Sequence, residues 1–491
     1  MSSKYFPPTG GVLRPGETVG TGREVRPADD KSPFAHEPKG LGTLRDVREE
    51  RFYLGGVLTL GEEQPRSFVY DPYPDYNGPE WRNEFMGNFQ SCQGPRGNIL
   101  DRRSPKDMVS VYPGVPKEFP PSLVGSYAAT DLDGYVCVDR HSRLGAYGYG
   151  DQYHIASQSR IAGTVQWDRV NWGDLQTQCV QKNKERFEVS QTNQAHVLHA
   201  LPQKPPASAS ASQEKPPSSN PLGQQVKKRS AIILRAWHDM DWNENMKQHV
   251  RSLIMELSLH SGGEYEVFIL SHLKAKFIPP EFHDITVLFN DQTLESWYPN
   301  IEEHSPMFQY WQPVQAFAQS HADFDYYWQI EMDSRFTGHS YHYLEKAVKF
   351  AKEQPRKYLW ERNAYFYIPG SHGTWEQFAD MVASSMRGYE SVWGPVVGTE
   401  GAPANPLGPR PPVNSPDDDD FEWGIGEEAD FISFLPIFDP INTEWPFSDK
   451  IWGLPENIPR RASPVAMGRV SKVILQGLHD MQVEKKIRAG I

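Results

Sequence analysis

Two acids two residues apart, Glu331 and Asp333, close the apolar run Tyr326-Tyr327-Trp328-Gln329-Ile330. Side chains in a strand alternate between faces, so residues at i and i+2 point the same way. Two hard carboxylates converging at a strand end suit Mg²⁺ or Mn²⁺, with substrate phosphates completing the shell. An ion held there would neutralise charge that develops on a diphosphate leaving group. The structural alternative is an acidic turn in which Asp333 caps and Arg335 pairs with Glu331. A short acidic pair of this kind is weakly specific by itself.

A second group lies in Glu422-Trp423-Gly424-Ile425-Gly426-Glu427-Glu428-Ala429-Asp430, where Glu427, Glu428 and Asp430 follow an aromatic and two glycines. A stacking ring, hydroxyl acceptors and a general base are what a sugar site requires. An acidic helix N-terminus, where carboxylates favour the dipole, accounts for the same residues. Arg460 and Arg461 offer guanidinium forks for phosphates, or a plain surface pair. His372, in Gly370-Ser371-His372-Gly373, stands between a strand and a helix start and so is a candidate for the crevice, although a lone loop histidine is more often simply exposed. The run Asp417-Asp418-Asp419-Asp420 reads as solvated. The zinc-protease, nucleophile-elbow, phosphate-loop and dinucleotide signatures are all missing from the sequence, which lowers the case for those classes.

The elements that must position these residues alternate in type. Ala231-Ile232-Ile233-Leu234, Val267 to Leu270, Ile285 to Phe289 and Tyr326 to Asp333 are continuous apolar strands. Between them, Met246, Val250, Leu253, Ile254 and Leu257 fall on one helix face, stopped by Gly262-Gly263; further helices are expected over 314–320 and 340–354. Buried strands alternating with amphipathic helices mean an α/β sheet covered on both faces. Thr374 and Gln377 have capping-box spacing. Upstream, a helix after Asn171 carries Trp172, Leu175, Gln176, Cys179 and Val180 on one side. The rest of the first half is short aromatic pieces broken by Pro and Gly. Four segments follow: a polar tail over 1–45, an irregular aromatic- and loop-rich region over 46–200 packing on the second half, a Pro/Ser-rich linker or loop over 201–229, and the α/β domain over 230–491. Trp81, Trp167 and Trp172 are expected to buttress the sheet, since large aromatics mostly form core.

The chain has 491 residues and 50 basic against 63 acidic side chains, a formal charge of −13. Nucleic acid is therefore not expected as a partner. With 38% apolar residues the chain can bury a large core, which excludes wholesale disorder. No apolar run approaches the ~18 residues of a membrane span, and Met1 to Gly20 lacks the features of a secretory leader. The expectation is a soluble chain, cytoplasmic as given, with a Golgi or secretory lumen for a membrane-anchored form. Three widely spaced cysteines, Cys92, Cys137 and Cys179, favour reduced thiols over one bridge plus a free thiol.

Several stretches resemble a fungal family, domain-of-unknown-function family 3405: FVYDPYPDYN (68–77), CQGPRG (92–97), YPGVPKEFP (112–120), the long segment 125–150, VNWGDLQTQC (170–179), ELSLHSGGEYEVFIL (256–270), YYWQIEMDSRFTGH (326–339), WGIGEEADFISFLPIFDP (423–440) and PRRAS (459–463). The likeness runs from about Phe52 to Gln482. That family in turn resembles GT-A glycosyltransferases, which implies a GT-A-like (Rossmann-like) mixed sheet flanked by helices and a nucleotide-sugar donor. By this resemblance Glu331-Met332-Asp333 is the Mn²⁺ or Mg²⁺ and diphosphate motif, and His479 would be a further metal ligand. Trp423 to Asp430 resembles the acceptor segment of some inverting members, with Trp423 and His372 toward the sugar and Glu427, Glu428 or Asp430 as base. Arg235, Asp239 and Asp241, at and after the end of the first strand, would hold the nucleotide, and Arg460 or Arg461 the diphosphate. The first acid of the motif is Glu331 rather than Asp, and the linker splits the family region.

The expected function is thus a metal-dependent glycosyltransferase moving a sugar to a hydroxyl acceptor on a glycan, a protein or a small molecule. The alternatives are a non-catalytic carbohydrate-binding or scaffold protein on the same fold, and a metal-dependent nucleotide-sugar or phosphoester hydrolase. Free sugar formed without an acceptor marks the hydrolase, and an acceptor-dependent glycoside marks the transferase.

Overall fold

The computed structural model describes residues 66–114, 130–132, 136–150, 165–187, 199–204, 223–237, 240–272, 278–299, 304, 310–354, 374, 377, 425–434 and 467–485, with side chains to 480. The expected tail over 1–45 lies outside them, as does 205–222 of the expected linker.

The first half holds more regular structure than its turn-rich sequence suggests. Strands β1 (Phe68–Val69), β2 (Ser110–Pro113) and β3 (Val136–Cys137) form a small antiparallel sheet. Helix α1 (Pro79–Glu84) begins on a proline, whose fixed φ suits a first helical position. Helix α2 (Arg140–Leu144) starts at a capping box in which Asp139 accepts from the backbone of His141 and Ser142. Helix α3 (Trp172–Lys182) is the one expected after Asn171, which caps it by accepting from the Asp174 N–H. It buries Trp172, Gln176, Cys179 and Val180. Strand β4 (His199–Ala200) then joins the main sheet.

The second half supplies β5 (Ser230–Trp237), α4 (Glu244–Leu253), β6 (Tyr265–His272), β7 (Thr286–Phe289), α5 (Asp291–Trp297), α6 (Gln312–Ser320), β8 (Tyr326–Glu331), α7 (Ser340–Glu353), β9 (Phe431–Ser433), β10 (Gly468–Ser471) and α8 (Lys472–Lys485). The four expected strands and the helices between them are present, but the fourth ends at Glu331 instead of Asp333, so Asp333 lies in the turn beyond it and strand alternation does not set its direction. The expected helix through Leu257 changes type at Ile254, running as a π-helix over Ile254–Leu259 with every residue buried. Apolar spacing over six residues cannot separate the two periods. The Thr374 capping box forms, with reciprocal hydrogen bonds of 2.8 and 3.3 Å to Gln377.

The seven strands make a mixed sheet in the order β4-β7-β6-β5-β8-β10-β9. Strands β4 to β8 are parallel, and β10 runs antiparallel to both β8 and β9. Helices cover both faces. On the first face Ile232, Leu234, Ile269, Trp328 and Ile330 meet α4, the π-helix and α7. On the second, Ala231, Ile233, Phe268 and Tyr327 meet α5, α6 and α8. Among the described residues no helix is long and apolar enough to cross a membrane.

The two halves share one core. Tyr73, Tyr76, Leu100, Met108, Tyr147 and Trp172 belong to the same apolar cluster as the first face of the sheet, and Trp81 and Trp167 pack against it. Three buried ion pairs cross the junction or seal it: Arg143 to Glu256, Arg186 to Glu264, and Arg251 to Glu281, the last beside the Trp172 indole. Both described ends of the expected linker are anchored, with Leu201 and Arg229 buried.

The cysteine expectation is corrected. Cys92 and Cys179 form a disulfide, their Cα atoms 5.0 Å apart and both side chains buried, while Cys137 is free and partly buried. Two residues 87 positions apart in sequence give no local signal of contact; the pairing exists because α3 lays Cys179 against the loop that carries Cys92.

Candidate functional site

Strand β5 is the point where the chain's winding reverses. From it, α4 and the segment ending at Ile285 return over the first face to β6 and β7; α5 and α6 then cross the second face to β8 on the other side of β5. At such a switch point the loops at the carboxyl ends of the two central strands part and leave a crevice, the usual ligand position in an open α/β sheet.

Arg235 and Glu331 stand at that place as Cα partners on β5 and β8. The alternation of apolar neighbours puts both on the second face. Arg235 is buried, donates from Nη1 to the Tyr310 carbonyl at 2.9 Å, and lies with its guanidinium 5.5 Å from the Tyr310 ring centre. Burial pulls this arginine below its ordinary pKa, and the Glu331 charge opposes that. Glu331 is half-buried and its carboxyl is raised by burial; Arg235 counters the shift, and Asp333 adds to it. Asp333 is exposed two residues on, past a turn in which the Ser334 N–H donates to the Glu331 carbonyl at 3.1 Å. Arg335 turns to the carbonyls of Met332 and Ser334. Asp241 is exposed ahead of α4.

The structure separates the second acidic group from this crevice. The Asp430 carbonyl accepts from the Ser471 N–H, and Ser471 is the Cα partner of Tyr326 at the amino end of β8. Tyr326 and Glu331 are the two ends of a six-residue strand, about 16 Å apart at the usual rise. The Gly426 N–H donates to the Lys352 carbonyl at the far end of α7, which fixes the same position independently. Glu428 accepts from Arg469 at 3.1 Å and from Lys352 at 3.4 Å. Burial would raise its carboxyl, but Arg469 and Lys352 hold it below the usual value. Glu427 and Asp430 are exposed at this end.

His479 is buried on α8 with its ring 5.7 Å from that of Trp297. Among the described residues no three His, Cys, Asp or Glu side chains converge as metal ligands, so His479 does not join Glu331 and Asp333. A carboxylate at the strand end and a second in the turn beyond it, whose charge raises the first, fit Mg²⁺ or Mn²⁺ when phosphate oxygens supply the remaining positions. Asp239, His372, Trp423, Arg460 and Arg461 lie outside the described residues.

Sequence reading missed three residues at the same carboxyl ends. Trp237 ends β5 and is 40% exposed. Its Cα partner His272 ends β6, with Nε2 2.7 Å from Asp291 Oδ1 at the start of α5. The available signal was strand length: the apolar run stops at Leu234, but the strand continues through Arg235 to Trp237.

A family model described as "Protein of unknown function (DUF3405)" matches residues 137–490. That is more than half of the chain, and the chain belongs to this family. Neither the curated proteins nor the solved structures contain a match.

Proposed function

We propose that this DUF3405 member is a metal-dependent glycosyltransferase that moves a sugar from a nucleotide-sugar donor to a hydroxyl acceptor, on a GT-A-like sheet. One observation carries the reading: Arg235 and Glu331 are paired at the carboxyl ends of adjacent parallel strands at the switch point, with Asp333 two residues beyond. Glu331 and Asp333 would hold Mn²⁺ or Mg²⁺, which when bound supplies charge neutralisation on the diphosphate leaving group. Arg235, held by the Tyr310 carbonyl, keeps its cation near the Glu331 charge at this end of the sheet. That preorganised charge favours the developing phosphate anion without side-chain reorganisation. Asp241, exposed ahead of α4, supports the nucleotide side of the same crevice. Glu427, Glu428 and Asp430 receive no role in proton transfer, since they sit at the other end of β8.

The buried Cys92–Cys179 bridge favours a chain that matures in an oxidising compartment, such as a secretory lumen, over the cytoplasm.

The test is calorimetric titration of the protein with UDP and GDP, with and without Mn²⁺, beside the double variant Glu331→Ala, Asp333→Ala. Metal-dependent binding by the wild type that the folded variant loses is the expected result. A folded wild type that binds neither nucleotide overturns the reading. A screen of nucleotide sugars then separates transfer, which needs an acceptor, from hydrolysis, which releases free sugar alone.

A further inference from the structure

Resting on the donor-site reading above, we propose that Trp237 and the neighbouring His272–Asp291 pair form the subsite for the nucleoside of a nucleoside diphosphate, with Trp237 stacking on the base. Among the described residues Trp237 is the exposed tryptophan, at 40%, whereas Trp172, Trp297, Trp311 and Trp328 are fully buried. A large indole left open at the end of an otherwise buried strand leaves a flat π face unused by the core. It stands two positions beyond Arg235 on the same strand and the same face, about 7 Å nearer the carboxyl edge. That is one short step from the charged pair toward solvent.

The adjoining strand supplies the polar half. His272 is the Cα partner of Trp237. Its ring centre is 5.3 Å from that of Phe289, and its Nε2 is 2.7 Å from Asp291 Oδ1. The histidine side chain is 14% exposed and that of Asp291 is 61% exposed, so the histidine anchors a carboxylate that faces water. A carboxylate anchored to the residue paired with an open aromatic accepts hydrogen bonds from ribose hydroxyls or base N–H groups while the ring takes the base. Arg235, Glu331 and Asp333 are charged groups suited to the diphosphate; Trp237 and His272 share the sheet face of Arg235 and Glu331 and, with Asp291 bound to His272, offer a surface suited to the nucleoside.

Binding is measured with UDP, GDP and inorganic pyrophosphate, each with Mn²⁺, for the wild type and for Trp237→Ala and Asp291→Asn, with folding checked by circular dichroism. Stacking of one base on an aromatic predicts a loss of about tenfold or more in affinity for at least one nucleoside diphosphate in Trp237→Ala. Pyrophosphate affinity should stay within about twofold, since a diphosphate alone has nothing to stack. Asp291→Asn should show the same selectivity. Equal losses for pyrophosphate and nucleotide, or no loss for either, overturn the subsite while leaving the donor site standing. Should the wild type bind none of the three, the donor-site reading falls and this inference falls with it. Should Trp237→Ala not fold, Trp237→Phe, which keeps an aromatic face, must retain the nucleotide preference.

Discussion

The Glu256 carboxylate is fully buried and takes hydrogen bonds from Arg143 at 2.5 and 3.3 Å, from the Tyr147 hydroxyl at 2.8 Å and from the Ser340 N–H at 2.7 Å. Burial alone would push this acid up; Arg143, His339 and the hydrogen bonds bring it down to about 2. Removing one member of such a pair strands a charge in the core, so Arg143→Ala is expected to destabilise the fold by about 3–5 kcal/mol, read from the denaturant midpoint. Glu428 is a contrasting case. Its partners Arg469 and Lys352 bind it at the amino end of the sheet, and its side chain keeps 32% exposure. Glu428→Gln is expected to shift stability by about 1 kcal/mol or less and to leave nucleotide affinity unchanged. A large loss of affinity in that variant would return the acidic cluster to the site. The residue types in both acidic groups were legible in the sequence, but which end of the sheet each occupies was not. That depends on strand register and on the far end of α7, neither of which leaves a trace in local spacing.

At the scale of elements, strands β5, β6 and β8 and helices α6 and α7 follow from apolar runs and helical spacing, because each buries a face that its own residues define. Strand β10 does not: Gly468-Arg469-Val470-Ser471 holds one large apolar side chain, yet all four residues are buried. Its burial comes from lying between β8 and β9, a tertiary cause that propensity cannot report. The Gly262-Gly263 stop was legible, and the structure adds its reason. Both residues adopt positive φ, +76° and +95°, and a Cβ on Gly263 would meet Val180 Cγ2 at 2.7 Å. Gly263→Ala therefore combines backbone strain with a clash against α3, and a loss of about 2 kcal/mol or more is expected in chemical denaturation. The same helix carries the disulfide. Alkylation of the denatured protein should label one cysteine without reductant and three with it. Opening a loop of 87 residues is expected to lower stability by about 4.6 kcal/mol in the chain-entropy model. Three labelled cysteines in unreduced protein would remove both the bridge and the argument for an oxidising compartment.

Across the whole molecule, the polar core between the two halves sets how stability depends on pH. His249, His260 and His339 are buried, and each is held down to about 3. Burial is the largest cause in all three. Arg335 and Arg143 add to it at His249, Arg102 and Arg96 at His260, and Arg143, His260 and His342 at His339, while Glu256 opposes it throughout. The rings of His260 and His339 also lie 5.9 and 5.5 Å from that of Tyr73, which joins the first half to the π-helix by donating to the Glu256 carbonyl. In the unfolded chain these imidazoles titrate near ~6.5. Between about 6.5 and 3 the unfolded state therefore binds more protons than the folded one, and stability falls as pH falls. Each histidine adds to that decline while its unfolded form takes up a proton that the buried ring does not. Glu256 acts lower: its contribution is complete above about 4.5 and is lost as pH drops through about 2. Denaturant midpoints should thus decline steadily from pH 7 to pH 5, where carboxylates contribute little, and His339→Gln should flatten that slope by up to about a third. A midpoint unchanged between pH 7 and pH 5 would mean that the junction admits water and protons to these rings in the native state, and the two halves would then not share a sealed core.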